Sequence, residues 1–316
     1  MKKFFGLILI SCFLAGPSAA QTGQEKKPAP PSVQNQQPSS QIRVRVNLVN
    51  VLFTVVDKKN RLISNLTRND FHVFEDGKPQ EIRFFGHETN LPLRVGILID
   101  TSNSIRLRLH FEQQAAIDFL YDIMRPDADR AFVVGFDVTP VMVQDYTGDL
   151  DKLSQGIRSL QAGGGTGLYD AIYYACKEKM IYNPQPEPYL RRVLIIVSDG
   201  EDNFSQHSRD EALSMAEKAE AIIYAISTNY SGLRTRGDKV LEYLAKETGG
   251  RVFFNTEADQ MEGDFKRIAS ELRSQYSLAY VSTNSAHDGT FRKISIKTDK
   301  KGLRVQAKTG YFAPSE

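Results

Sequence analysis

Three short polar segments, 100–104, 163–167 and 198–202, carry the side chains that could do chemistry in this 316-residue sequence. Together they offer two carboxylates and three hydroxyls, all of which are oxygen donors. These candidate ligands are Asp100, Ser102, Ser104, Thr166 and Asp199. A set made only of oxygen donors suits Mg²⁺, Mn²⁺ or Ca²⁺ better than Zn²⁺ or Cu²⁺. The sequence therefore predicts a site for a hard divalent cation, with Mg²⁺ the first choice.

The elements around these segments indicate how the donors could meet. The first and third segments follow continuous apolar runs, 95–99 and 193–197, typical of strands buried on both faces of a parallel sheet. The glycine-rich segment comes directly before a predicted helix, 168–180. Because ligands bind at the carboxyl ends of such strands, we expect all three segments to converge at one edge of a sheet.

Strands and helices alternate from about 93 to 282, which predicts an α/β fold: a doubly wound, mostly parallel sheet with helices on both faces. Apolar spacing predicts helices over 111–124, 150–160, 168–180, 210–221, 239–248 and 258–274. Strands are expected over 95–99, 131–136, 193–197, 222–227 and 251–254, with a short edge strand at 141–143.

Shorter β segments flank this region on both sides. They are 42–56, 71–74 and 82–85 before it, and 277–281, 291–298 and 303–308 after it. The simplest packing pairs the two groups into one small β-sandwich, with the α/β region inserted into it. The predicted boundaries are 1–20 for a signal peptide, 21–41 for a disordered linker, 42–89 for an N-terminal β region, 90–282 for the α/β domain and 283–316 for the C-terminal strands.

Each motif also has a plainer interpretation. Asp and Ser favour turns and helix caps, so the 100–104 segment alone would not indicate a metal site. The segment indicates a metal site only together with Thr166, just before a predicted helix, and Asp199, just after a predicted buried strand. The 163–167 glycines lack the Lys-Ser/Thr ending of a phosphate loop, which argues against a nucleotide. Arg236-Gly237-Asp238 matches an integrin-ligand tripeptide, but Asp238 is better explained as the N-cap of the helix expected from Lys239.

Asp-x-Ser-x-Ser at 100–104, a later Thr and a later Ser-Asp-Gly, in this order, resemble the metal-ion-dependent adhesion site of the von Willebrand factor A family. The resemblance implies that Ser102 and Ser104 coordinate the cation directly and that Thr166 joins in the ligand-bound state. It implies that Asp100 and Asp199 act directly or through water. A Glu or Asp of a partner would fill the sixth position.

This resemblance covers about residues 90–282. The pattern within 66–82 is similar to bacterial secreted proteins in which a small β region precedes the A-type domain. That second likeness bears on the family and says nothing about the ligand.

The N-terminal residues predict export. Lys2 and Lys3, an apolar run and Ser18-Ala19-Ala20 are typical of a secretory signal peptide. The run is too short to span a bilayer comfortably. An alternative is a lipid-bearing Cys12, which would anchor the chain to a membrane. Removing 1–20 takes away two basic and no acidic residues, so the remaining chain is formally neutral and has no global field for nucleic acid or anionic membrane.

These observations favour an exported, non-enzymatic module, periplasmic or extracellular, that binds an acidic group of a protein or surface ligand through the cation. One alternative is an assembly scaffold in which the metal is purely structural. A metal-assisted hydrolase is less favoured, because no general base is aimed at a metal-bound water and no catalytic motif is assembled.

Overall fold

The computed structural model describes residues 48–88, 91–181, 190–254 and 258–315. The predicted signal peptide, the linker and residues 42–47 of the first expected strand lie outside these ranges. In the part of the chain that is described, no helix is both long and apolar enough to cross a membrane.

The strands and helices alternate through the middle of the chain, with strands alone at both ends. The strands are β1 Leu48–Asp57, β2 Phe71–Glu75, β3 Lys78–Gln80, β4 Ile82–Glu88, β5 Leu93–Asp100, β6 Arg130–Phe136, β7 Pro140–Thr147, β8 Arg191–Ser198, β9 Ala221–Ser227, β10 Val252–Phe254, β11 Gln275–Val281, β12 Phe291–Thr298, β13 Leu303–Ala307 and β14 Gly310–Phe312. The α-helices are α1 Leu109–Ile123, α2 Leu150–Arg158, α3 Leu168–Tyr174, α4 Arg209–Lys218, α5 Arg236–Thr248 and α6 Ala258–Leu272.

The central sheet has six strands in the order β10-β9-β8-β5-β6-β7, parallel except for the edge strand β7. Along β5, successive side chains enter different cores: Ile97 packs with residues of α1, α2 and α6, and Leu98 with residues of α3, α4 and α5. Both side chains are fully buried. Helices therefore cover both faces, and the predicted doubly wound α/β fold is confirmed.

Two four-stranded antiparallel sheets flank this region, in the orders β13-β1-β11-β4 and β14-β12-β2-β3. Each sheet mixes strands from before and after the α/β region. Their apolar faces share a third core that includes Phe53, Phe71 and Tyr276. The sandwich-like flank built from N- and C-terminal strands is thus present. Strand β11, inside the 90–282 range, pairs with β1 and β4; the exact domain boundaries stay predictions.

A buried carboxylate holds the flanking strands together. Glu75 on β2 accepts hydrogen bonds from Tyr280 Oη (2.8 Å), Ser282 Oγ (2.6 Å) and Tyr311 Oη (3.0 Å). The Arg292 guanidinium, also buried, lies 3.7 Å away. Because a buried charge is tolerated only with such partners, this cluster fixes one packing of β2 against the C-terminal strands.

A second buried acid links α1 to the start of the central sheet. Asp129 accepts hydrogen bonds from Leu93 N–H (2.8 Å), Arg125 Nε (3.1 Å) and Arg273 Nη2 (2.7 Å). Burial opposes its ionisation, but these bonds outweigh burial and lower the pKa of Asp129 to about 2. The carboxylate therefore stays charged in the folded chain at neutral pH.

Some element bounds differ from the sequence prediction. The helix expected over 168–180 is α-helical only to Tyr174 and continues as a π-helical stretch, Ala175–Ile181. The edge strand β7 runs over eight residues, whereas the sequence predicted three. The prediction was too short because the half-exposed side chains of β7 give only a weak apolar pattern. Helix α5 begins at Arg236 with Thr235 as N-cap, so predicting Asp238 as the N-cap was wrong.

Candidate metal centre

The backbones of segments 100–104 and 163–167 are hydrogen-bonded to each other. Thr101 O accepts from Gly163 N–H (2.7 Å), and Gly164 O accepts from Asn103 N–H (3.3 Å). Gly164 has a positive φ of 70°, a conformation that favours glycine. These bonds bring the glycine-rich segment to the carboxyl end of β5, as the sequence predicted.

The residues that directly follow the third segment, 198–202, are hydrogen-bonded to the second segment, 163–167. Thr166 O accepts from Asn203 N–H (2.9 Å) and Phe204 N–H (3.1 Å), and Thr166 N–H donates to Asn203 Oδ1 (2.9 Å). Thr166 is buried by these contacts. Asn203 therefore positions Thr166, a role that sequence reasoning missed because nothing in the local pattern links residues so far apart.

Asp100 lies at the centre of the assembled loops and is fully buried. Its Oδ1 accepts from Ser102 N–H (2.8 Å), and its Oδ2 accepts from Ser198 Oγ (2.7 Å). The hydroxyls of Ser102 and Ser104 lie 2.8 Å apart. Three of the five predicted ligands are therefore in one contiguous cluster.

The electrostatics of the two acids fit a cation site. Burial, with a smaller contribution from the nearby Asp199 carboxylate, raises the pKa of Asp100 to about 6, although hydrogen bonds from Ser102 and Ser198 lower it. Burial likewise raises the pKa of Asp199, with Glu201 adding to the rise and a hydrogen bond from Ser104 opposing it. A dication beside Asp100 and Asp199 would offset both the burial and the mutual repulsion.

Backbone packing fixes the position of Asp199. Gly200 has a φ of 79°, and a Cβ there would collide with the carbonyl oxygen of Gly237 in the first turn of α5. A Cβ on Gly237 would in turn collide with the carbonyl oxygen of Asp199. The two glycines let the metal loop lie directly against α5, which explains Gly at both positions.

Other polar residues near these loops have partners of their own. Asp238 is buried and accepts from Ser227 Oγ (2.6 Å) and Asn229 Nδ2 (2.7 Å), so it is inaccessible as an integrin-type ligand. Glu201 Oε1 accepts from Gly237 N–H (3.1 Å), and Asp202 Oδ1 accepts from Ser205 Oγ (2.6 Å).

Asp137 Oδ1 likewise accepts from Thr139 N–H (3.2 Å). Among the described residues, no group of three or more His, Cys, Asp or Glu side chains is placed to hold a metal. A cation here must therefore draw on the serine and threonine hydroxyls as well as on carboxylates. The five ligands remain a prediction of this arrangement.

Comparison with known proteins identifies relatives of this fold. Residues 95–201 match the model of the von Willebrand factor type A domain. Proximal thread matrix protein 1 of the mussel byssus, described with a zinc-occupied MIDAS motif, aligns at 18% identity and a TM-score of 0.50 over 63% of this chain and 49% of its own. No curated protein matched the sequence significantly.

Two bacterial pilus proteins align with lower TM-scores. A D319A mutant of the PilB minor pilin from Streptococcus sanguinis shows 12% identity and a TM-score of 0.47, over 58% of this chain and 62% of its own. The vWF domain of the type V pili tip protein Mfa5 from Porphyromonas gingivalis shows 15% identity and a TM-score of 0.48, over 57% and 94%. The alignment thus covers less than two thirds of the pilin and byssus chains. The family-model match, together with the observed sheet, shows a von Willebrand factor type A domain at residues 95–201 of this chain.

Proposed function

We propose that this chain is an exported binding module that binds an acidic group of a protein partner through a divalent cation. The cation ligands would be Asp100, Ser102, Ser104, Thr166 and Asp199. The cation would supply an electrophilic position for the partner's carboxylate, and the chain's own residues would hold and orient the cation.

The observation that carries this proposal is the convergence of two acids and neighbouring hydroxyls where the strands end. Asp100 and Asp199 both resist ionisation in the absence of a counter-charge, and Ser102 and Ser104 add neutral oxygens beside them. Because Asp100 and Asp199 can act through water, few carboxylates need touch the cation directly, and it stays electrophilic. An acidic group from a partner can then bind the cation in its open position.

Exposed apolar side chains around the same edge favour a protein partner. Leu107 is 98% exposed and follows the metal loop of β5; Phe204 (54%) follows β8. Tyr230 (70%) and Leu233 (76%) lie in the loop after β9. Large apolar groups collected around a polar centre are typical of a contact surface, where they add buried area around one strong polar interaction.

Mg²⁺ is the proposed cation, with Mn²⁺ and Ca²⁺ as alternatives, because every proposed ligand is an oxygen. The zinc-occupied motif of the byssus protein makes Zn²⁺ a necessary comparison. Export is proposed from residues 1–20, and a lipid anchor on Cys12 is the alternative; the mass of the processed N-terminus in the native host separates the two.

Calorimetric titration of the purified chain with MgCl₂, MnCl₂, CaCl₂ and ZnCl₂ tests the site. We expect the wild type and Asp122→Ala, which alters an exposed acid on α1, to bind, and Asp199→Ala to lose binding. Absence of binding by the wild type would contradict the proposal in this form.

A pull-down from cell-surface extracts, with and without EDTA, then separates binding from scaffolding. Partner capture that EDTA and Asp199→Ala both abolish supports the cation-bridged contact. If EDTA lowers only the thermal stability while the partner stays bound, the metal is structural and the scaffold alternative holds. Turnover of an ester or phosphate that depends on Asp199 would instead favour the hydrolase.

A further inference from the structure

Glu112, in the first turn of α1, is a buried acid that the proposed ligand set does not include. It is fully buried, and neither of its carboxylate oxygens has a hydrogen-bond partner within the described part of the chain. Burying a carboxyl group without partners is costly, and more so when it is ionised. The contrast with Glu75, whose oxygens accept three hydrogen bonds, shows how this fold treats a buried acid that serves packing alone.

Glu112 N–H donates to Arg108 O (3.0 Å), so Glu112 shares the first turn of α1 with a residue that contacts the layer beneath the metal loops. Arg108, one turn earlier, donates from Nη1 to Thr228 O (2.9 Å), and Thr228 N–H donates to Ser198 O (3.1 Å). Ser198 is the residue whose hydroxyl donates to Asp100. A continuous set of contacts thus leads from the helix turn of Glu112 to the centre of the site. The Thr228 hydroxyl in this layer is also buried without a partner.

The charges agree with this placement. Burial raises the pKa of Glu112 to about 8; nearby Arg108 opposes the rise, whereas the carboxylates of Asp100 and Asp199 add to it. The charges of both proposed metal-binding acids therefore act on the Glu112 carboxyl group. A dication held by those acids would attract the Glu112 carboxylate instead of leaving it repelled.

We infer that Glu112 is an outer carboxylate behind the cation site, outside the ligand set of Asp100 and Asp199, and that its charge raises the affinity for a divalent cation. The inference rests on the proposed cation site and extends it by one residue. Glu112 acts on the cation through the field it creates and through the groups beside it, so it is a positioning residue. The competing interpretation is a permanently protonated acid that only fills space in the core.

Glu112→Gln distinguishes the two interpretations, because the amide keeps the shape and removes the charge. Calorimetry with MgCl₂ and MnCl₂ should give a Kd weakened by about 10- to 100-fold, the usual effect of losing an outer-shell partner of a metal site. In EDTA, the melting temperature of Glu112→Gln should equal or exceed that of the wild type. Added metal should raise it less than it raises the wild type.

Glu217→Gln is the matched control. Glu217 on α4 is also an acid whose pKa is raised, by burial and by Glu247, to about 7. It lines a cleft of about 510 Å³ with Arg191 and Ala221, at the opposite, amino-terminal ends of β8 and β9. Its substitution should leave the Kd for both metals unchanged.

Equal metal affinity in the wild type, Glu217→Gln and Glu112→Gln would overturn the inference while leaving the cation site intact. No metal binding by the wild type would instead overturn the proposed site, and the inference with it. If Glu112→Gln does not fold, Glu112→Met, of similar length and uncharged, provides the same comparison. Glu112→Asp, which keeps the charge, should restore part of the lost affinity.

Discussion

Replacing Asp100 by Asn should stabilise the metal-free chain and remove its response to metal. Asn has nearly the shape of Asp and carries no charge. Its Oδ1 can still accept from Ser102 N–H, and Ser198 Oγ, which also accepts from Gly200 N–H (3.0 Å), can turn to accept from the new amide. The main change is therefore the removal of a buried charge from the centre of the site.

The size of the effect follows from the pKa. Burial, with the neighbouring Asp199, raises the pKa of Asp100 from 3.8 to about 6. One pKa unit is worth about 1.4 kcal/mol, so ionised Asp100 destabilises the metal-free fold by about 3 kcal/mol. For an acid with a raised pKa, this loss is complete above the folded-state pKa and disappears below the unfolded-state value. The metal-free wild type should thus gain stability as the pH falls from about 6 towards 4.

Thermal unfolding of both proteins in EDTA, at pH 7.5 and pH 5, measures these effects. At pH 7.5 we expect Asp100→Asn to unfold at a higher temperature, by about 2–4 °C for each kcal/mol gained. The difference between the proteins should shrink at pH 5, and MgCl₂ should raise the melting temperature of the wild type alone. A variant less stable than the wild type in EDTA, or equally stabilised by Mg²⁺, would refute the reasoning.

Two further predictions concern the surroundings of the site. Asp129→Asn should lower the free energy of unfolding by about 3 kcal/mol at pH 7, since it weakens a buried ion pair; urea unfolding measures this, and a neutral effect would contradict it. Because the folded-state pKa of Asp129 is lowered to about 2, its contribution is complete above pH 4, and the wild type should lose more stability than the variant between pH 4 and pH 2. Gly237→Ala should cost about 1–3 kcal/mol by crowding the Asp199 backbone, and should weaken the Kd for Mn²⁺ in calorimetry; unchanged affinity would show that the loop position is not critical.

The parts of this structure that follow from local patterns could be predicted from the sequence. The apolar runs before Asp100 and Asp199 indicate buried parallel strands, and the position of a loop after such a strand is a consequence of sheet geometry. The fold class and the von Willebrand factor type A domain at residues 95–201 were therefore predictable and are confirmed. The convergence of the three polar segments could be predicted for the same reason, because it follows from the positions of these buried strands.

Residues whose roles come from distant neighbours were missed. Ser198 belongs to a recognised motif, but its bond to Asp100 spans 98 positions and leaves no local mark. Glu112 lies among the apolar positions of α1 and gives no sign of being buried, because a single Glu in an amphipathic helix is normally exposed. The N-cap of α5 was predicted at the wrong residue. Thr235 and Asp238 form a reciprocal capping box, and both Thr and Asp are residue types that favour the N-cap position, so composition alone does not tell which one is the cap.

The position of β1 and β4 on either side of β11 in one flanking sheet has a consequence for synthesis. Strand β1 lies between β11 and β13, and among the described strands β4 pairs with β11 alone, so both must wait for strands made about 200 residues later. The contiguous α/β region can meanwhile fold as a unit as it leaves the ribosome. During that interval β1 and β4 present unpaired edges, which are prone to aggregate. A chaperone that binds β1 and β4 during synthesis should therefore increase the yield of folded protein more than a chaperone that binds the α/β region.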